Sequence, residues 1–250
     1  MTNTLIEAPG PAVRSTGASV PSLVGLEIRK SLSTRSGKSL AAASILLAPA
    51  AAAVAATASS EPLGSVTGPL GALGMLTGLV LLSFGVLSTA GEWSHRTVQT
   101  TYLLVPHRGR VLATKAVAVA LMGAAFAAMA AALVAGVLAL LVSGASWAGV
   151  GLAFGAVVAA GAAFAVIGAG VGAATANTPA ALTGLYLVIL GGIPVLRTFK
   201  PEIGDKIDPA GATLALAQGQ ATTQSILILS AWMGVALVAG AVMTRRRQVS

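Results

Sequence analysis

Few residues of this 250-residue chain could do chemistry, and their spacing excludes most kinds of site. Cysteine is absent, which excludes disulfides, thiol nucleophiles and thiolate metal ligands. The only histidines, His95 and His107, are twelve residues apart and do not form the HExxH pattern of a helical zinc site. No charged residue or histidine lies in the middle of a long apolar stretch, where a hydrolase site or a proton relay would need one.

One tetrapeptide, Ser36-Gly37-Lys38-Ser39, has the composition of the end of a phosphate-binding loop. That loop also requires an earlier glycine, at the position that Leu32 occupies here, and a buried strand before it. Because both are missing, we interpret the tetrapeptide as a polar lead into an apolar helix. We expect the chain itself to bind no nucleotide, cofactor or metal.

The most distinctive pattern lies between the second and third apolar stretches, from residue 91 to residue 115. Glu92 is expected near the start of a short helix, where the helix dipole favours an anion. Val98, Tyr102 and Val105 are three and four residues apart and can share one face. Pro106 ends this predicted helix, and basic residues follow it: Arg108, Arg110 and Lys115. A small charged element of this kind is suited to docking another protein.

The elements that must position this segment are long and apolar. The chain is 56% hydrophobic and 9% charged, whereas about a quarter of the residues of a soluble domain are charged. Six stretches come near or above the roughly 20 residues that cross a bilayer as a helix: 40–57, 70–90, 112–142, 147–174, 180–196 and 225–244. We therefore predict an all-α membrane protein with six transmembrane helices in one domain, residues 22–250, after a flexible tail, residues 1–21.

Small residues are expected to shape the fourth and fifth stretches. The pairs Gly151/Gly155 and Gly168/Gly172 fit the small-xxx-small pattern that lets helices approach closely. They predict close packing within the chain or, alternatively, a dimer face or substrate path. In the fifth stretch, two glycines and Pro194 predict a break near its end.

Basic residues are distributed unevenly around the predicted spans. Residues 22–38 mix apolar side chains with Glu27, Arg29, Lys30 and Arg35, which predicts an amphipathic helix in the headgroup layer or an ordinary basic flank of the first span. With both termini in the cytoplasm, twelve of the 15 Lys and Arg residues fall on the inner side. The positive-inside rule therefore predicts cytoplasmic termini in the plasma membrane, and the basic charge indicates topology rather than nucleic-acid binding.

The segment after the second span resembles a known family. It has a Gly-Glu-aromatic start at Glu92 and Trp93, a threonine at Thr97, a leucine pair, Pro106 with Arg108 two residues later, and a later lysine, Lys115. This pattern resembles the loop of ABC transporter permeases of the type-2 export class. The basic helix before six spans and the short turn Asn177-Thr178-Pro179 are also similar to that family.

The resemblance implies a function for the segment. In that family it forms the coupling helix, which contacts the ATP-binding subunit, and it would include Glu92, Trp93, Thr97, Tyr102, Pro106 and Arg108. The implied partners are a separate ATPase subunit that holds ATP and Mg²⁺, a second permease chain, identical or sister, and membrane lipids. Residues 200–224 would form small outer helices over the pathway. This chain would then not be an enzyme.

Two other classes of protein remain open from the residues alone. An ion-coupled secondary transporter would depend on an ion gradient and need no ATPase subunit, because backbone carbonyls can also bind cations. A membrane scaffold or immunity-type protein would bind a partner and move no substrate. The substrate of a transporter is not indicated by this alanine-rich sequence.

Overall fold

The computed structural model describes residues 19–59, 62–94 and 108–247, and nearly all of them are helical. The helices are α1 (Val20–Ser33), α2 (Arg35–Ala58), α3 (Thr67–Ser94), α4 (Arg108–Leu141), α5 (Val150–Thr175), α6 (Thr178–Tyr186), α7 (Ile193–Phe199), α8 (Pro201–Ile207), α9 (Pro209–Ala217) and α10 (Thr222–Arg246). In this described part, β-type pairing is limited to one bridge between Ser65 and Ser146. The prediction of a helical fold is confirmed.

Six helical segments of the described part are long and apolar enough to cross a membrane. They are Arg35–Ala58, Thr67–Trp93, Gly109–Leu141, Val150–Thr175, Thr178–Phe199 and Thr222–Arg246, and each overlaps one of the six predicted stretches. The chain is therefore a candidate multi-pass membrane protein. Large apolar side chains are exposed on five of these segments, among them Leu46, Leu121, Leu152, Leu187 and Val235, as a helix surface in contact with lipid requires.

The fifth segment differs from the prediction. It does not break at its glycines and Pro194, because a π-helical stretch, Leu187–Gly192, joins α6 to α7. Pro194 stands in the first turn of α7, directly after the π-helical stretch. Tyr186, at the end of α6, fixes this segment to α3 by donating to the carbonyl of Leu79 at 2.8 Å.

Helix α5 is the centre of the bundle and packs against α3, α4 and α10. Helices α3 and α5 run parallel, because their contacts advance together from Gly74 beside Val157 to Val86 beside Gly172. More than half of the most apolar part of each of these two helices is buried, compared with 28% or less in the other four segments. The interior is therefore a tightly packed pair of helices surrounded by helices with lipid-facing sides.

The two ends of the bundle differ. At one end, called here the α1 end, lie α1, the C-terminal ends of α3, α5 and α10, and the N-terminal ends of α2, α4 and α6. At the opposite end, α8 and α9 are two short helices after the fifth segment, within residues 200–224, for which the resemblance implies small outer helices. Arg197 joins this pair by contacting Asp205 at 2.8 Å and Asp208 at 3.0 Å.

Candidate functional site

Four charged side chains meet at the α1 end and form what is called here the charge cluster: Glu27, Lys30, Glu92 and Lys115. The Nζ atom of Lys115 lies 2.6 Å from Oε1 of Glu92 and also contacts Oε2 of Glu27. Lys30 approaches the same Oε1 atom of Glu92 at 2.6 Å. The cluster therefore joins three helices, α1, α3 and α4, through two carboxylates and two ammonium groups.

Three members of the charge cluster are largely buried, and the fourth, Lys30, is partly exposed. The side chain of Lys115 is 5% exposed and that of Glu92 is 10% exposed. The ammonium group of Lys115 has three donors, and it contacts Glu27, Glu92 and the backbone carbonyl of Ser88, the last at 3.0 Å. With the partly exposed Lys30 included, two positive charges balance two negative charges, so the cluster as a whole has no net charge.

Helix geometry explains why these residues meet. Glu27 and Lys30 are three residues apart on α1, so both point to the same side of that helix. Glu92 lies in the last turn of α3, and Lys115 lies two turns into α4. Because α3 and α4 are connected by residues 95–107, the cluster joins the two helix ends from which that segment emerges.

One sequence-based expectation is wrong. Glu92 was expected near the start of a short helix, but it lies near the C-terminal end of α3, where the helix dipole disfavours a carboxylate. Its negative charge is compensated by Lys115 and Lys30 instead of by a helix N-terminus. The sequence pattern could not show this, because both lysines are distant from Glu92 along the chain.

A second contact at the α1 end involves Arg247, which sequence reasoning did not single out. Its guanidinium group donates to the carbonyl oxygens of Ala173, at 2.9 Å, and Ala174, at the C-terminal end of α5. The same group lies 5.3 Å from the centre of the Trp93 ring, within the range of a cation–π contact. Arg247 therefore connects the ends of α3, α5 and α10.

The remaining predicted residues of the docking segment are only partly within the described structure. Thr97, Tyr102 and Pro106 lie outside the described residues, and Arg108 is described only as the first residue of α4. On α1 and α2, Arg29 and Arg35 are exposed. Of the predicted site residues, Glu27, Lys30 and Glu92 therefore lie together in the structure, and Lys115 contacts two of them.

The two glycine pairs of α5 differ in how closely they pack against neighbouring helices. Gly168 and Gly172 pack against α3, where an added Cβ would meet the Leu82 carbonyl oxygen at 2.0 Å and the Thr89 Oγ1 at 2.3 Å. Gly151 and Gly155 have open space where a Cβ would stand. Other glycines in tight contact with a neighbouring helix could not be identified from the sequence, since each partner is on another helix; they include Gly74, Gly85 and Gly123.

A cleft of about 660 Å³ lies beside the charge cluster. Its wall is built from the α1–α2 junction, the C-terminal half of α3 and Thr178 at the start of α6. Elsewhere in the described part, no group of three or more His, Cys, Asp or Glu side chains is placed to hold a metal ion. The described chemistry of the α1 end is therefore ion pairing and polar packing.

Comparison with models of known protein families gives no match, and neither does comparison with curated proteins.

Proposed function

We propose that this chain is the membrane-spanning subunit of an ATP-driven exporter and that it forms the translocation path and couples to a separate ATPase subunit. The observation that supports this proposal most directly is the position of Glu92 and Lys115. They stand on either side of residues 95–107, the segment whose pattern resembles a coupling helix, and they contact each other at 2.6 Å. A partner that pushes on this segment would therefore push on two helices that are already joined.

The charge cluster would also transmit a displacement of this segment to other helices. Glu27 and Lys30 connect the same two helices to α1, so a displacement of the segment would move three helices as a unit. Arg247 adds a connection from Trp93 to the end of α5, the central helix. Buried, paired charges resist separation, because each would otherwise remain unpaired in a low-dielectric environment.

The arrangement in the membrane follows from the charges. The predicted inner segments hold twelve basic residues and the outer segments three, which supports a cytoplasmic α1 end and cytoplasmic termini. In the assembly that we propose, two permease chains, identical or sister, surround the path in the plasma membrane. The ATPase subunits bind beneath them and hold ATP and Mg²⁺. The helical pair α8–α9 then covers the outer end.

The test is purification of the tagged full-length chain from its native membranes in mild detergent, with identification of co-purifying proteins and an ATPase assay. We expect a co-purifying subunit with a phosphate-binding loop and ATPase activity. Glu92→Ala should reach the membrane but abolish transport-coupled ATP hydrolysis. Glu202→Ala is the matched control, since Glu202 is exposed at the opposite end of the bundle.

Two outcomes would contradict the proposal. Wild-type coupled activity in Glu92→Ala would exclude the role given to that carboxylate. A chain that purifies alone and inert, even after cross-linking in the membrane, would exclude an ATPase partner. Dependence on an ion gradient would then favour a secondary transporter, and stable binding of another protein without movement of a substrate would favour a scaffold.

A further inference from the structure

The cleft beside the charge cluster has the size and position of a binding site. Its volume of about 660 Å³ lies within the range of small-molecule sites, about 300 to 1,000 Å³. It is at the level where α1 meets the first membrane segment and where α3 ends. A cleft at this level is adjacent to the headgroup layer of a bilayer that surrounds the six apolar segments.

The lining of the cleft changes from polar to apolar along the bundle axis. Near the α1–α2 junction it consists of Lys30, Ser31, Thr34 and Ser36. One helical turn further along α2 the lining residue is Leu40, and α3 contributes two more apolar side chains, Phe84 and Leu87. A ligand that matches this gradient has a polar head and an apolar tail.

The charge around the cleft favours a ligand with a negatively charged head group. Five basic residues and two acidic residues lie on α1, the start of α2 and the charge cluster: Arg29, Lys30, Arg35, Lys38 and Lys115, with Glu27 and Glu92. Both acidic groups are engaged by lysines inside the cluster. Of the five basic residues, only Lys30 lines the cleft. Arg29, Arg35 and Lys38 are exposed on the same helix segments and form no ion pair in the described part, so the surface next to the cleft has an excess of positive charge.

We propose that the cleft binds an anionic phospholipid of the surrounding bilayer. Its phosphate group would face Lys30, Ser31 and Ser36, and its acyl chains would follow Leu40 and Leu87 toward the bilayer interior. Basic pockets between membrane helices at the cytoplasmic side are suited to anionic headgroups. This inference does not depend on the proposed transport function, because it requires only that the six apolar segments lie in a bilayer.

The test measures how many lipid molecules the full-length protein retains. The protein is delipidated in detergent, mixed with equal amounts of phosphatidylglycerol and phosphatidylcholine, and analysed by native mass spectrometry. We expect one retained phosphatidylglycerol per chain and preference for it over phosphatidylcholine. Arg35→Gln with Lys38→Gln should weaken its retention about tenfold, since two basic residues near the headgroup are lost.

A matched control and a second variant distinguish binding in the cleft from a general attraction of anionic lipid to the basic surface of the protein. Arg245→Gln with Arg246→Gln removes two exposed positive charges from α10, which lines no part of the cleft, whereas Arg35 and Lys38 flank the lining residues Ser36 and Gly37; this control variant should retain the lipid. Leu87→Trp fills the apolar part of the cleft without a change of charge, and it should release the lipid. Equal retention of both lipids, or equal effects of the two charge variants, would overturn the proposal. An unrelated anionic amphiphile that remains after delipidation would overturn the assignment to phospholipid.

Discussion

Substitution of Lys115 gives the sharpest test of the charge cluster. Lys115→Met preserves most of the side-chain volume but removes the ammonium group that contacts Glu27, Glu92 and the Ser88 carbonyl. Loss of one partner from a buried ion pair costs about 3–5 kcal/mol, because the remaining charge stays buried without compensation. At about 2–4 °C per kcal/mol for a chain of this length, the apparent melting temperature should fall by about 6–20 °C.

Two further lysines provide matched controls with the same substitution. Lys30 also contacts Glu92, but its side chain is 40% exposed, so Lys30→Met should cost about 1 kcal/mol or less. Lys38 is exposed and forms no ion pair within the described part, so Lys38→Met should change stability by less than about 0.5 kcal/mol. The measurement is thermal unfolding of each purified variant in the same detergent, followed by tryptophan fluorescence.

Removal of the negative charge of Glu27 provides the experiment that could refute this reasoning. In Lys115→Met, the cluster has one excess negative charge, and Glu27 has lost Lys115 as its ionic partner, whereas Glu92 keeps Lys30. Adding Glu27→Gln restores neutrality, so the double variant should recover most of the lost stability. The reasoning is refuted if Lys115→Met melts within about 2 °C of Lys38→Met, or if Glu27→Gln makes Lys115→Met still less stable.

Two more predictions concern packing at other positions. Arg247→Ala should destabilise the α1 end by about 2 kcal/mol, because it removes two contacts with backbone carbonyls and the stacking on Trp93. Arg247→Lys should not restore the stability, because lysine lacks the planar guanidinium group. Limited proteolysis between α3 and α4 would detect the loss of stability, and unchanged cleavage in Arg247→Ala would contradict the prediction. Gly168→Ala should destabilise the protein by about 1–3 kcal/mol, since its Cβ would meet the Leu82 carbonyl oxygen at 2.0 Å. Gly151→Ala should be neutral or slightly stabilising, because its Cβ would enter open space. Equal melting temperatures of the two variants would show that the α3–α5 contact is looser than described.

The sequence predicted the helical segments well because their signal is local. About 20 consecutive apolar residues specify a membrane helix whatever its neighbours are, and each of the six stretches coincides with a candidate span. The fifth segment shows the limit of this reasoning. Its glycines and Pro194 predict a break, but the backbone absorbs them in a π-helical stretch that continues into α7.

The candidate site was less predictable, because its contacts join distant parts of the chain. Glu92 was identified by its local pattern, but its partners Lys30 and Lys115 are on other helices. The contact of Arg247 with Trp93 likewise requires the packing of α10 beside α3 and α5. Glycine spacing alone also could not distinguish Gly168, which packs on α3, from Gly151, which packs on nothing within the described chain.

The charge cluster bears on the choice between ATP-coupled and ion-coupled transport. In an ion-coupled transporter, charged groups inside the membrane bind and release the ion or proton, so they must tolerate a change in their own charge. In the charge cluster, the three donors of Lys115 are engaged, and the four charges sum to zero. Separation of Lys115 from the two carboxylates would leave buried charges unpaired, at a cost of several kcal/mol. The cluster is therefore suited to hold α1, α3 and α4 together, as the proposed coupling to a separate ATPase subunit would require.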